Sequence, residues 1–379
     1  MRRRVVVTGL GAVSAAGIGV GALADALRTG RSCVRTLDDE SAAPGGAIGA
    51  PAPALDPLEF VSRRQARHLD RAALLCVLAG REALADSRLL EGPIDRARVG
   101  VYKGMSLTGI GGSCLSALQR LDGDGVAAAS ASVSAACALA LAVGHIRLGE
   151  IDAAVVGGGE APLSRAVLAS FARAGLLSSR KEDPETACRP FDATRDGIVL
   201  GEAGAAVVVE SMDHALRRGA RIHAEVAAVA VTSEAGSPVA PGAHARQRAR
   251  ALQSALRRGA IRAGEVQYVA AHGSATRDND EVETAALKAA LGDHAYGVQV
   301  SAMKSMLGHT LGASALLETV GTILAMLGGF LPPTINLRVP DPDCDLDYVP
   351  GRARPETVNV ALVANAGVDG RNTAVLLRR

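Results

Sequence analysis

Short apolar runs alternate with helix-length segments along the whole chain, and small glycine turns join them. Such alternation indicates an α/β protein with buried, largely parallel sheets, because a parallel strand needs a long crossover before the next one. The predicted strands are residues 4–8, 99–102, 153–156, 205–210, 222–231, 266–271, 358–363 and 373–377. The predicted helices are residues 21–28, 71–86, 212–218, 245–259, 279–291 and 311–327.

The alternation starts again near residue 220, where a second series of strands and helices begins. We therefore expect two similar halves, residues 1–219 and residues 220–379. The chain has 379 residues, and 48% of them are hydrophobic, which is ample for a large core.

Composition argues against several classes of function. A net charge of +2 gives no long-range field for nucleic acid or an anionic membrane, and 2% aromatic content leaves few platforms for stacking bases. No run approaches the length expected of a membrane span. The basic start, Met1 to Val7, predicts a strand rather than a signal peptide. We expect neither a nucleic-acid partner nor a membrane partner.

The cysteines are scattered without any Cys-x-x-Cys pair, which predicts neither a zinc site nor a redox motif. We expect them to be reduced thiols in a cytoplasmic protein, and we expect no bound metal. Their positions are Cys33, Cys76, Cys114, Cys137, Cys188 and Cys344. Thr8-Gly9-Leu10-Gly11 matches a dinucleotide-binding turn only weakly, because Ser14 stands where the third glycine would fall.

Two histidines in the last third of the chain occupy unusual positions for core residues. His272 follows an apolar run and opens a small polar turn, and His309 ends a Lys-x-x-x-Gly-His turn before an apolar helix. In such positions a neutral imidazole can face a pocket, where it transfers a proton or donates a hydrogen bond to a developing anion. One such histidine is usually structural, but two with an upstream cysteine favour thiol chemistry.

Cys137 follows a turn of small residues, 132–136, and precedes a helix predicted for residues 138–148. The positive end of a helix dipole lowers the pKa of a cysteine at the N-terminus and favours the thiolate. We therefore predict that Cys137 is a nucleophile. The alternative is a small buried apolar residue, which is the commoner role of a lone cysteine.

Three motifs follow one another in the second half of the chain. They are Arg189-Pro190-Phe191-Asp192 with Arg195-Asp196-Gly197 and Gly201-Glu202; His272-Gly273-Ser274-Ala275-Thr276; and Lys304 to His309 with Gly312 and Glu318. With the first strand and turn, they resemble the β-ketoacyl-acyl carrier protein synthases, condensing enzymes of the thiolase fold. The resemblance is closest to the elongating type of fatty acid and aromatic polyketide synthesis. It implies two similar βαβα halves in a layered α-β-α-β-α architecture.

The resemblance implies condensation of a Cys-bound acyl group with a malonyl thioester on an acyl carrier protein, with no cofactor beyond the carrier's phosphopantetheine. Cys137 would accept the acyl group, and His272 and His309 would stabilise the enolate that forms when carbon dioxide leaves. The other matched residues are Lys304 paired with Glu318, Gly367 and Val368 in the oxyanion turn, Ser274 and Thr276 for pantetheine, and Arg64 and Arg67 for carrier docking.

Three stretches depart from the family pattern. The stretch from Cys137 to Gly149 is shorter than usual, which implies that the nucleophile's helix loses a turn. Residues 113–136 form a shorter segment than usual in the region that builds the dimer interface and acyl pocket, which leaves Cys114 as a second, less favoured thiol. The glycine-rich turn near the C-terminus contains Val368 and Asp369, and Asp369 is expected to point outward and pair with Arg371. These changes imply a specialised enzyme that performs condensation, acyl transfer or intramolecular carbon–carbon closure.

The competing interpretation is a noncatalytic, chain-length-factor-like partner that shapes the tunnel of a condensing subunit. The shortened segment and the altered turn favour it, whereas the presence of Cys137, His272, His309 and Lys304 favours an enzyme. The resemblance implies a homodimer, or a heterodimer with a related condensing subunit.

Overall fold

The first strand, β1, is the run Val5–Ser14, and all ten of its residues are buried. It lies in the middle of a large mixed sheet. The computed structural model describes residues 3–37, 46–92, 94–107, 125–234 and 245–379.

Most predicted elements are present, with ends that differ by a few residues. The other strands are β2 Gly17–Ile18, β3 Arg35–Thr36, β4 Ile48–Gly49, β5 Val99–Gly104, β6 Gly125–Ala128, β7 Ala153–Glu160, β8 Ala203–Ser211, β9 Ala224–Ser233, β10 Tyr268–Ala270, β11 Gln299–Ser301, β12 Phe330–Leu331, β13 Arg354–Pro355, β14 Val360–Ala366 and β15 Arg371–Arg378. The helices are α1 Val20–Thr29, α2 Arg63–Ala66, α3 Arg71–Ser87, α4 Ser134–Leu148, α5 Arg165–Arg173, α6 Met212–Arg217, α7 Ala245–Gly259, α8 Arg277–Leu291, α9 Lys304–Leu307 and α10 Ser314–Gly328.

The sheet repeats one pairing pattern. In the first half the order is β6-β5-β7-β8-β1, and in the second it is β11-β10-β14-β15-β9. In each series the first three strands run parallel and the last two pair antiparallel. The two series meet where β1 pairs with β9 through two residue pairs, Val6 with Glu225 and Val7 with Ala224. The expected largely parallel sheets are therefore wrong, because strands buried on both faces have the same apolar composition in either direction.

Helices cover the sheets in layers. Helix α3 packs on β1, β7 and β8 on one outer face, while α7 packs on β9 and β15 on the other. Helices α4 and α10 contact each other and both halves of the sheet, so they form the central layer. This is the layered α/β arrangement that the resemblance implied, and it brings the beginnings of both central helices together.

The central helices are unusually apolar. Ala131–Leu148 and Leu311–Gly328 have mean hydropathies of 1.5 and 1.6, and by length and composition alone either segment meets the criterion for crossing a membrane. Within the fold, 56% of the first segment and 83% of the second are buried. The expectation that no run approaches the length of a membrane span is therefore wrong, although burial accounts for both segments as core helices between two layers of sheet.

Candidate active site

His309 is held in one orientation by the backbone around it. Gly308, with a φ of 69°, turns the chain after α9, and the buried imidazole lies just before α10. The Leu311 N–H donates to His309 Nδ1 at 3.2 Å, and Ser314 Oγ lies 3.0 Å from the same nitrogen. Because Nδ1 accepts from a backbone N–H, the neutral ring carries its proton on Nε2.

His272 lies beside His309, on the loop between β10 and α8. The ring centroids are 5.2 Å apart and the rings are nearly perpendicular. The loop is tied to α8 because the Glu283 carboxylate accepts the backbone N–H groups of His272 and Gly273, at 2.7 and 2.8 Å. The structure thus brings together the two histidines that the sequence singled out.

Both imidazoles are neutral at physiological pH. Burial holds the pKa of His309 and of His272 well below the ordinary histidine value, and the nearby charge of Lys304 adds to this effect. A neutral imidazole in a water-poor pocket donates one hydrogen bond without carrying a charge. The pair is therefore suited to stabilising negative charge on a substrate oxygen.

Lys304 and Glu318 form the predicted buried ion pair. Lys304 Nζ lies 2.5 Å from Glu318 Oε1, and Asn365 Nδ2 donates to the other carboxylate oxygen at 2.7 Å. Burial raises the pKa of the Glu318 carboxyl, and the Lys304 ammonium opposes that rise. Glu318 thus holds the Lys304 ammonium in place, near enough to both imidazoles for its charge to lower their pKa.

Ser132 is the side chain that faces His309 from the other half of the fold, and sequence reasoning missed it. Ser132 Oγ lies 3.1 Å from His309 Nε2, and Ser132 is buried. Its neighbour Ala131 has a φ of 43°, a left-handed conformation that is uncommon for a residue other than glycine. Ser134 Oγ donates to the Ala131 carbonyl at 2.7 Å and accepts from the Ser130 N–H at 2.8 Å, which closes this turn.

The missed signal was the helix start. Helix α4 begins at Ser134, four residues before the predicted start. The serines at positions 130, 132 and 134 were the local sign of a helix N-terminus, although the N-cap is Val133 and no side chain caps the helix. Ser132 therefore precedes the helix, whereas Cys137 lies inside its first turn and donates its own N–H to Val133 O at 3.0 Å.

Cys137 has different neighbours from Ser132. Its half-buried thiol hydrogen-bonds with Ser130 and is close to the charges of Arg371 and Asp369. The expected lowering of its pKa is wrong: burial raises the pKa of the thiol more than Ser130 and Arg371 lower it. The assignment of Cys137 as acyl acceptor stays a prediction, and Cys114 lies outside the described residues.

The turn between β14 and β15 lies against this loop. Gly367 is close enough to Ala131 that a Cβ on Gly367 would lie 3.4 Å from the Ala131 Cβ. Val368 is 55% exposed, so it does not cover the pocket as a buried gate would. Asp369 is exposed and pairs with Arg371 at 3.1 Å, as predicted, and Arg371 also donates to Ser130 Oγ at 2.6 Å.

The two hydroxyls assigned to pantetheine follow His272 on the same loop. Ser274 Oγ and Thr276 Oγ1 are 3.1 Å apart; Ser274 is buried and Thr276 is partly exposed. The predicted docking residues Arg64 and Arg67 are exposed on and just after α2, at the surface. Across the described ranges, no group of three His, Cys, Asp or Glu side chains could hold a metal ion.

Comparison with protein families gives two matches that together span most of the chain. The description "Beta-ketoacyl synthase, N-terminal domain" matches residues 2–122 and 107–215. The description "Beta-ketoacyl synthase, C-terminal domain" matches residues 223–338. The first match consists of two overlapping pieces, and their overlap, residues 107–122, includes the beginning of the segment 113–136 that was predicted to be shortened.

Relatives and solved structures agree with these matches. The chain is 39% identical to the tetracenomycin polyketide synthase ketoacyl synthase alpha subunit of Streptomyces glaucescens, with 100% of this chain and 97% of the relative covered. That alignment spans 414 positions, so this chain lacks positions that the relative has.

Two solved structures cover 100% of this chain and 99% of their own. One, at 30% identity with a TM-score of 0.91, is the ishigamide ketosynthase/chain length factor. The other, at 29% identity with a TM-score of 0.89, is a type II polyketide synthase acyl-carrier protein in complex with its ketosynthase bound to the hexaketide.

Proposed function

The chain belongs to the β-ketoacyl synthase family, and we propose that its pocket acts on acyl thioesters delivered by an acyl carrier protein in polyketide or fatty acid-type biosynthesis. The observation that carries this proposal is the pair of neutral, buried imidazoles of His272 and His309, backed by the Lys304–Glu318 ion pair. We place the protein in the cytoplasm, with no cofactor other than the carrier's own phosphopantetheine.

The pocket's chemistry is oxyanion stabilisation. When a thioester loses a carboxylate or is attacked at its carbonyl, negative charge develops on the thioester oxygen. An N–H from each imidazole can donate to that oxygen, and donors already fixed in a water-poor site need little reorganisation. Lys304 adds a positive potential without reaching the substrate, because Glu318 holds its ammonium.

Delivery of the substrate uses two further features. Ser274 and Thr276 lie on the loop that carries His272, where they can hydrogen-bond a pantetheine arm that ends at the histidines. Arg64 and Arg67 offer exposed positive charge to an acidic carrier protein, and such complementarity mainly speeds encounter and fixes orientation. A related ketosynthase has been seen bound to its carrier, which supports this role.

The test is consumption of carrier-bound malonyl and acyl thioesters, followed by mass spectrometry of the carrier's pantetheine arm. We expect H309A and H272A each to lower the rate by about 100-fold or more, the usual cost of losing an oxyanion donor. The matched control is H294A, because His294 bonds to the Val266 carbonyl, away from the pocket. Equal rates in H309A and the unaltered protein would contradict the proposal.

A second candidate function is that of a noncatalytic partner in a ketosynthase heterodimer. Three observations favour it: Ser132 presents a hydroxyl to His309; β6 pairs only with β5 among the described strands; and Leu141 is 41% exposed on α4. Co-expression with a related condensing subunit distinguishes the two. A chain that purifies only as a mixed dimer, and is dispensable for thioester consumption by its partner, is a noncatalytic subunit.

A further inference from the structure

Two reaction steps make different demands on this pocket. Taking an acyl group onto the protein needs a nucleophile, whereas stabilising an enolate needs only hydrogen-bond donors. The donors are His272 and His309. The side chain that faces them from α4's N-terminal loop is the hydroxyl of Ser132, not a thiol.

The surroundings of Ser132 do not activate it. A serine hydroxyl is a weak nucleophile unless an adjacent base removes its proton. The partner of Ser132 Oγ is His309 Nε2, and that nitrogen carries a proton because Leu311 N–H occupies the lone pair of Nδ1. His309 therefore donates to Ser132 and cannot act as its base in this arrangement.

Cys137 does not supply the histidine pair with a thiol nucleophile. It lies in the first turn of α4, and the groups that affect the pKa of its thiol are Ser130, Arg371 and Asp369, not the histidine pair. Its raised pKa keeps it protonated at neutral pH, which lowers its nucleophilicity further.

We propose that the pocket decarboxylates a malonyl-type thioester without first taking an acyl group onto the protein. The inference deepens the proposed function and rests on it, because the thioester must still reach the two histidines. It names the substrate class, a thioester with a carboxylate on the carbon next to its carbonyl, and the product, the thioester shortened by carbon dioxide.

The step balances without an added reagent. The bond between the α-carbon and the carboxylate breaks, and its electron pair moves to form an enolate whose charge lies on the thioester oxygen. N–H groups of His272 and His309 hold that oxygen in place of the Ser132 hydroxyl. Carbon dioxide leaves, and a proton from water then adds to the α-carbon. The protein carries no covalent intermediate at any stage.

The experiment follows malonyl carrier protein and intact protein mass together. We expect the unaltered protein to form acetyl carrier protein at unchanged protein mass, and H309A to lose about 100-fold or more of that rate. S132A should keep at least about a tenth of the rate, whereas loss of a true nucleophile costs several powers of ten. S132C should gain the mass of the acyl group when given an acyl thioester.

The remaining outcomes distinguish failure of this inference from failure of the proposed function. An acyl adduct on the unaltered protein that S132A or C137A removes overturns this inference, and the proposed function stands. Acylation of S132C without any decarboxylation by the unaltered protein does the same. If no variant, S132C included, consumes or accepts any carrier thioester, the proposed function itself is wrong.

Discussion

The position of one proton on His309 decides what this pocket can do. The Leu311 N–H fills the lone pair of Nδ1, so Nε2–H points at Ser132 and at any oxygen that displaces it. The same ring with its proton on Nδ1 would be a base for a hydroxyl. A backbone contact two residues away thus determines whether His309 Nε2 donates or accepts a hydrogen bond.

The first prediction concerns pH. Burial keeps both histidines neutral in the folded protein, so the rate of thioester turnover should show no acid inflection near the ordinary histidine pKa of about 6.5. Initial rates measured from about pH 5 to 8 check this. An inflection that disappears in H309A would mean that the imidazole does take up a proton within this range.

Stability should respond to pH even where the rate does not. Below about pH 6.5 the unfolded chain protonates His272 and His309 while the folded state does not. The unfolded state then binds more protons, so the free energy of unfolding falls as the pH drops. Urea unfolding at several pH values should show this loss, and it should be smaller in H309N.

Among the elements, the start of α4 is the most tightly constrained. Gly104 in β5 lies against the first turn, and a Cβ there would come within 2.2 Å of the Ser134 carbonyl carbon. The strand and the helix therefore approach backbone to backbone. This contact sets the position of the loop before α4, and so the position of Ser132 relative to His309.

The second prediction follows from that contact. G104A should destabilise the protein by about 1–3 kcal/mol, because the added methyl pushes the first turn away. G144A, further along the same helix, meets nothing within 4 Å and should stabilise it by about 0.5–1 kcal/mol through helix propensity. Urea denaturation measures both, and equal effects would show that the approach is not tight.

The sequence predicted some of these elements correctly and misplaced the start of α4. The helix predicted for residues 245–259 is α7, because periodicity is a local signal. The pairing of Lys304 with Glu318, which the family resemblance implied, is also present in the structure. The start of α4 was misplaced because residues 131–136, which are mostly Ala and Ser, fit a turn or a helix equally well. Tertiary contacts with β5 decide between them, and they are absent from a local pattern.

At the scale of the whole molecule, the pocket is assembled from both halves. Ser132 comes from the first series of strands and helices, and His272 and His309 come from the second. The orientation of the strands could not be predicted, since buried apolar runs do not encode direction. The division at residues 1–219 and 220–379 stays a prediction, although the repeated strand order agrees with it.

The third prediction concerns the outer surface. R64E with R67E should weaken acyl carrier protein binding by about tenfold or more, and less so at high salt, because exposed charges are screened. R88E with R217E is the matched control. Arg88 is also exposed and lies at the far end of α3, about 25 Å along the helix. Binding titrations at two salt concentrations would refute docking at α2 if both pairs behaved alike.

The repeated strand order has a consequence for how this protein can evolve. A protein whose sheet repeats one strand order, with two residue pairs between β1 and β9 joining the two series within the sheet, can let each copy of that order change under its own selection. The copy that carries Ser132 can exchange one side chain for another while the copy that carries the histidines keeps its machinery. A change of one codon can then alter the chemistry of the pocket between the two halves, while the fold of each half stays the same.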